Sequence, residues 1–132
     1  PSHLFAGSAK DNMEDCVELL RRGASPNAKD GDGDTALMYA VFNDNVPLAQ
    51  LLIRSGAFIN SRNNNGGSAL MHAADRRLLK SVQFLVAQPG IKIDNRDRWG
   101  NTPLMRAAQK GFWEIVEALS VPRCPGKFGD AA

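Results

Sequence analysis

Asp30-Gly31-Asp32-Gly33-Asp34-Thr35-Ala36-Leu37-Met38-Tyr39-Ala40-Val41-Phe42-Asn43 runs from a turn straight into a short amphipathic helix, and its core phrase returns twice. Thr35-Ala36-Leu37 comes back as Ser68-Ala69-Leu70 after 33 residues and as Thr102-Pro103-Leu104 after a further 34. Gly33, Gly66 and Gly100 each stand two residues ahead of that phrase. Gly23, Gly56 and Gly90, and the closing Asn27, Asn60 and Asp94, keep the same step. Glycine held in phase at a period near 33 marks stacked supersecondary units. Such a chain has no single enclosed core and presents an extended surface in place of a pocket.

The unit 30–62 shows why the chain folds this way. Asp30 to Asp34 is a turn, because Gly permits positive φ and Asp caps backbone amides. Thr35 is placed to cap a helix whose Leu37, Ala40 and Val41 form one apolar face. Asn43-Asp44-Asn45 breaks that helix, and Val46-Pro47 opens the next, where proline's missing N–H costs nothing. Leu48, Leu51 and Leu52 supply the second buried stripe, and Gly56 ends it. Neither helix is long enough to be stable alone, since helices under about 12–15 residues are marginal in water. Only stacking hides their apolar faces.

The order of turn, helix, turn, helix and extended linker resembles the ankyrin repeat over about residues 4–121. The family pattern Asp-x-x-Gly-x-Thr-Pro-Leu-His-x-Ala-Ala is matched best by Asp97 to Ala108, and its closing Leu-Leu-x-x-Gly-Ala-x-x-Asn by Leu19 to Asn27. The resemblance implies an all-α solenoid with projecting β-turn or hairpin loops, in units 1–29, 30–62, 63–96 and 97–121, followed by a Pro/Gly-containing tail at 122–132. The family's His after Thr-Pro-Leu is Met38, Met71 and Met105 here, and Met cannot form that residue's bridge between turns. The 63–96 unit carries one extra residue around Gln88-Pro89-Gly90. Pro1 at the start and the incomplete last unit both point to a piece of a larger protein.

Composition narrows the function. The chain of 132 residues has a net charge of only +2, too little to carry nucleic-acid binding by electrostatics. Residues 1–66 hold 6 basic and 8 acidic residues, whereas residues 67–132 hold 10 and 6, so a linear stack should grade from acidic to basic. Two cysteines, Cys16 and Cys124, make no disulfide framework and point to a reducing, intracellular compartment, cytoplasmic or nuclear. No apolar run is long enough to cross a bilayer.

Ankyrin-like stacks bind partners with their turn tips and the inner face of each first helix. Carried over by phase, the tips include Asp32 and Asp34, then Asn65, then Arg98, Trp99 and Asn101. The inner-helix positions are Tyr39, Phe42 and Asn43, then His72, Asp75 and Arg76, then Arg106, Gln109 and Lys110, each set sharing one helical face. Trp99 and Phe42 are the aromatic candidates for anchors. Against that, Trp99 could pack on Arg62 or Arg96 and merely cover a turn, and Phe42 could be partly core. Phe112 and Trp113 are expected to cover the end of the stack, and Phe58 to be a scattered surface hydrophobe.

Other chemistries find little support. Asp30-x-Asp32-x-Asp34 imitates the start of a calcium loop, but that loop's sixth and twelfth places hold Thr35 and Val41 instead of Gly and Glu, so no metal is expected. His3 and His72 are the only histidines, and no motif sets a nucleophile opposite either, so no catalytic residue or cofactor is expected. Asp75 and Asp97 interrupt the basic end, which argues against nucleic acid. The expected function is recognition of a protein or peptide, with an acidic segment over Arg98 and Arg106, by a monomeric domain. The alternative is a structural spacer or docking segment of a larger protein.

Overall fold

The computed structural model describes residues 13–120, seven helices among them. The expected first helix of the opening unit, His3 and the tail with Cys124 lie outside the described residues. The helices are α1 (Met13–Arg21), α2 (Ala36–Phe42), α3 (Val46–Arg54), α4 (Ala69–Asp75), α5 (Leu79–Val86), α6 (Pro103–Gln109) and α7 (Trp113–Ser120). Helices α2, α4 and α6 form one row and α3, α5 and α7 a second, each helix packed on its counterpart in the next unit.

Local chemistry sets the boundaries. Thr35, Ser68 and Thr102 each accept, through the side-chain oxygen, the amide three residues on, at 3.4, 3.3 and 3.2 Å. Asn45 does the same for α3, accepting from Leu48 at 3.1 Å. Small residues let the rows approach: Ala36, Ala40, Ala69, Ala73, Ala74 and Ala107 are all buried. Leu37, Leu48, Leu52, Leu70, Val82, Leu85 and Ile115 fill the space between the rows. In α3 the buried stripe is Leu48, Ala49 and Leu52, with Leu51 half-buried. Leu19 and Leu20 of α1 pack against the same core.

The link between paired helices needs a left-handed residue. Gly111 fills it in the last unit at φ +74°, but Asp44 at +53° and Arg77 at +61° fill it in the units before. Ser81 donates to Asp44 Oδ1 at 2.6 Å, and Glu114 holds the Arg77 guanidinium at 2.7 Å. Phe112 packs against the core, whereas Trp113, expected to help cover the end of the stack, is 66% exposed.

Candidate functional site

Each turn is held to its helix by one device, built three times. The first residue of the turn sets one side-chain oxygen under two amides of its own turn. Asp30 Oδ1 accepts from Asp32 and Asp34 at 2.9 Å each, Asn63 Oδ1 from Asn65 at 3.0 Å and Gly67 at 2.9 Å, and Asp97 Oδ1 from Trp99 and Asn101 at 2.9 Å each. The other terminal atom reaches nine residues on, to the helix. The Tyr39 hydroxyl donates to Asp30 Oδ2, and Arg106 donates to Asp97 Oδ2 through Nε at 3.2 Å and Nη2 at 2.7 Å. Asn63 Nδ2 lies 3.2 Å from His72 Nε2. The helix residue that braces each turn thus stands one position beyond Met38, Met71 and Met105, and the bond it makes is to its own turn.

Tyr39, His72 and Arg106 are therefore half-buried braces as well as inner-face residues. The bond to Asp30, then burial, push the Tyr39 hydroxyl up to about 12. Burial alone would raise the Asp30 carboxyl, but the bonds from Tyr39 and the turn amides hold it below its ordinary value. Asp97 behaves likewise: burial works against its charge, and the Asn101 amide, Arg106 and the Trp99 amide outweigh it. His72 is held below its ordinary value, first by burial, with Arg76 and Arg106 adding to that and Asp34 and Asp75 opposing it.

Between units, inner-face residues pair across the stack. Phe42 meets His72 of the next unit edge-on at 4.7 Å between centroids, and within α2 it meets Tyr39 edge-on at 5.5 Å. The Arg76 guanidinium lies 4.6 Å from the centre of the Phe42 ring. Lys110 donates to the Asp75 carbonyl at 3.0 Å and sits 2.9 Å from Asp75 Oδ1, with Arg106 Nη1 3.7 Å from the same oxygen. Gln109 donates to Asn101 Oδ1 at 3.2 Å. Asn43 stands exposed at the end of α2. At the tips, Asp32 is exposed, while half-buried Asp34 accepts from Asn63 Nδ2 at 2.9 Å.

A recess of about 110 Å³ opens on this face, lined by Asn63, Asn65, Gly67, Met71, His72, Asp75, Asp97, Trp99 and Arg106. It gathers Asn65, His72, Asp75, Trp99 and Arg106 from the expected set and leaves the rest outside: Asp32, Asp34, Tyr39, Phe42 and Asn43 of the earlier unit, and Arg76, Arg98, Asn101, Gln109 and Lys110. Trp99 forms one wall and is 60% exposed. Its neighbours are not Arg62 or Arg96 but Arg98 and Arg106, whose guanidinium carbons lie 5.3 and 5.7 Å from the ring centre. Small-molecule sites usually enclose about 300–1,000 Å³, so this recess suits one side chain of a larger partner. The ligand atoms of Asp30, Asp32 and Asp34 come within 4.8 Å of one another, yet both Asp30 oxygens are already engaged by the turn and Tyr39.

Sequence reasoning missed two ladders that tie each unit to the next. Lys29 Nζ donates to the Arg62 carbonyl at 2.9 Å, and Arg62 donates to the Arg96 carbonyl and to that of Gly66. Asn27 donates to the Gly56 carbonyl at 3.0 Å and accepts from the Phe58 amide at 2.7 Å, while Asn60 does the same with Gly90 and Lys92 at 2.9 Å each. The signal was present, since one ladder repeats a basic residue and the other an asparagine at a constant phase.

A family model for ankyrin repeats in three copies matches residues 4–97, and a second, for ankyrin repeats in many copies, matches residues 78–119. The chain belongs to the ankyrin repeat family. Ankyrin repeats mediate protein–protein interaction. Over 116 residues, 88% of this chain, it is 30% identical to cyclin-dependent kinase inhibitor 2A of Monodelphis domestica and covers 67% of that protein. Over 49 residues, 37% of this chain, it is 47% identical to a Caenorhabditis elegans homolog of ankyrin repeat and LEM domain-containing protein 1, and spans 7% of that protein's length. Among the described residues of this ankyrin stack, no helix is long and apolar enough to cross a membrane.

Proposed function

We propose that the stack is a non-catalytic recognition module that binds a partner protein or peptide along its inner face and turn tips. The observation that carries this reading is Trp99, 60% exposed beside a recess sized for one side chain. A large aromatic flanked by arginine is the residue type that most often dominates binding energy. The opossum relative is named as an inhibitor of a kinase, a protein whose target is itself a protein, which supports the same ligand class.

Charge orients the partner. Arg106 and Lys110 are spent largely on Asp97 and Asp75, so among the described residues Arg76 and Arg98 are the exposed cations left on this face. An acidic segment of the partner lies over them, with Trp99 as its anchor. Association should therefore slow as salt rises.

The test presents the domain as bait beside Trp99→Ala and Arg98→Glu variants, with Arg106 left intact because Asp97 depends on it. All three proteins should show the same helicity and melting. A partner held by the native face should lose about 2 kcal/mol, roughly 30-fold in affinity, with Trp99→Ala. Equal capture by native and variants would place binding elsewhere.

A further inference from the structure

We propose that His72 is a pH-sensitive latch, and that protonating its imidazole releases the turn 63–67 and with it the binding recess. The proposal builds on the binding role assigned to that face, but the latch itself is a property of the unbound chain.

Hydrogen-bond polarity sets the middle brace apart. In the outer two braces an acidic turn residue accepts from a donor on the helix: Asp30 from Tyr39 and Asp97 from Arg106. The middle brace is reversed. Asn63 Oδ1 is fixed under the amides of Asn65 and Gly67, so its Nδ2 must be the atom facing His72. An amide nitrogen only donates, hence His72 Nε2 accepts, and the neutral ring carries its proton on Nδ1. Adding a proton to Nε2 sets donor against donor. Asn63 cannot turn over to help, because that would aim its NH₂ at two backbone amides.

The surroundings determine how the turn responds to that proton. Groups facing the imidazole are Asp34 from the preceding unit, with Oδ1 3.9 Å from Nε2, Asp75 and Arg76 from its own helix, and Arg106 from α6. Asp34 Oδ1 already accepts from Asn63 Nδ2 at 2.9 Å, so an imidazolium competes with Asn63 for that oxygen. Winning that competition strips Asn63 Nδ2 of both its partners, His72 on the helix and Asp34 in the preceding turn. The turn it organises joins its neighbours through Asn64, whose amide donates to the Asp32 carbonyl at 3.0 Å, and through Asn65, whose carbonyl accepts from the Arg98 amide at 2.9 Å. Asn63, Asn65, Gly67 and His72 all line the recess.

The buried position of the ring fixes the sign. His72 is held below its ordinary value of 6.5, so its contribution is complete above about pH 6.5 and is lost as pH falls through the lower, folded midpoint. The outer braces serve as internal controls: the Tyr39 hydroxyl, pushed up to about 12, keeps its proton throughout this range, and the Arg106 guanidinium offers no acceptor atom to a proton.

The experiment is a pH titration of the full chain by nitrogen-15 NMR with amide hydrogen exchange. At pH 8 the ring should carry its proton on Nδ1. Below pH 6.5 the amides of Asn65 and Gly67 should lose protection by up to about ten-fold per pH unit, the limit for one proton, while those of Asp34 and Asn101 hold theirs. Asn63→Asp restores the polarity of the outer braces and, read in an Asp34→Asn background so that no second carboxylate faces it, should invert the effect, so that acid tightens the turn. His72→Gln, which accepts without titrating, should abolish it. A neutral ring protonated on Nε2, equal losses in all three turns, or the same sign in Asn63→Asp on that background would each overturn the latch. No partner is needed, so failure of the capture experiment leaves this result standing.

Discussion

Asp97 is a carboxylate with only 2% of its side chain exposed, and it survives there because four donors converge on it. Replacing it with alanine orphans two turn amides and leaves the Arg106 guanidinium, three-quarters buried, without its main partner. Breaking a buried pair typically costs 3–5 kcal/mol, so Asp97→Ala should lose about 3 kcal/mol in urea denaturation, with the m-value unchanged. Asp97→Asn keeps an oxygen under the amides but turns a donor toward Arg106, and should lose about 1–2 kcal/mol. Both effects should fade in acid only below pH 3.8, because the Asp97 charge is held beneath that value. In the sequence Asp97 reads as an interruption of a basic surface. That residue is instead what fixes the surface: it positions Trp99 through one oxygen and Arg106 through the other. Periodicity gave the phase of both partners, but not that a turn residue and a helix residue nine apart share a bond.

At the scale of turns and helices most boundaries were legible in the sequence. The caps at Thr35, Ser68 and Thr102 and the left-handed glycines are signals of residue type, and residue type is what a sequence states. The left-handed Asp44 and Arg77 were not legible, because the side chains that hold them, Ser81 and Glu114, belong to the next unit. The turn glycines also differ in a way their common phase hides. A Cβ on Gly33 would lie 2.6 Å from Asn64 Oδ1 and 2.8 Å from the Asn64 nitrogen of the next turn, while one on Gly100 would meet nothing within 4 Å. Their φ values, +81° and +82°, are nearly equal, so backbone strain is common to both. Gly100→Ala should therefore cost about 1 kcal/mol, the left-handed penalty alone. Gly33→Ala should cost clearly more and weaken the bond from the Asn64 amide to the Asp32 carbonyl, visible as faster exchange of that amide. Equal losses would mean that the turns do not stack as tightly as their hydrogen bonds indicate.

Over the whole molecule, a solenoid's stability is close to a sum over units and the interfaces between them, so the same residue carries different weight at different rungs. Leu37, Leu70 and Leu104 hold one phase of the repeat and read alike in the sequence. Their surroundings differ: Leu37 is 1% exposed and Leu70 0%, both clamped between units, while Leu104 is 40% exposed and Met105 beside it 39%. The charge gradient is altered by the same geometry, since stacking brings Asp75 against Lys110 and Arg106 and cancels part of the basic end. Linear order gives the excess of basic residues in the second half but not the pairing, because the pairing depends on which faces meet. Leu70→Ala should open a cavity with packed walls and cost about 3 kcal/mol, within the usual range for buried leucine. Leu104→Ala removes a side chain that is 40% exposed and opens no enclosed cavity, and should cost clearly less, about 1 kcal/mol. Thermal and urea unfolding of the two variants decides the matter. A loss at Leu104 as large as at Leu70 would require that this face be covered in solution, and sedimentation of the native chain would then show whether a second copy covers it.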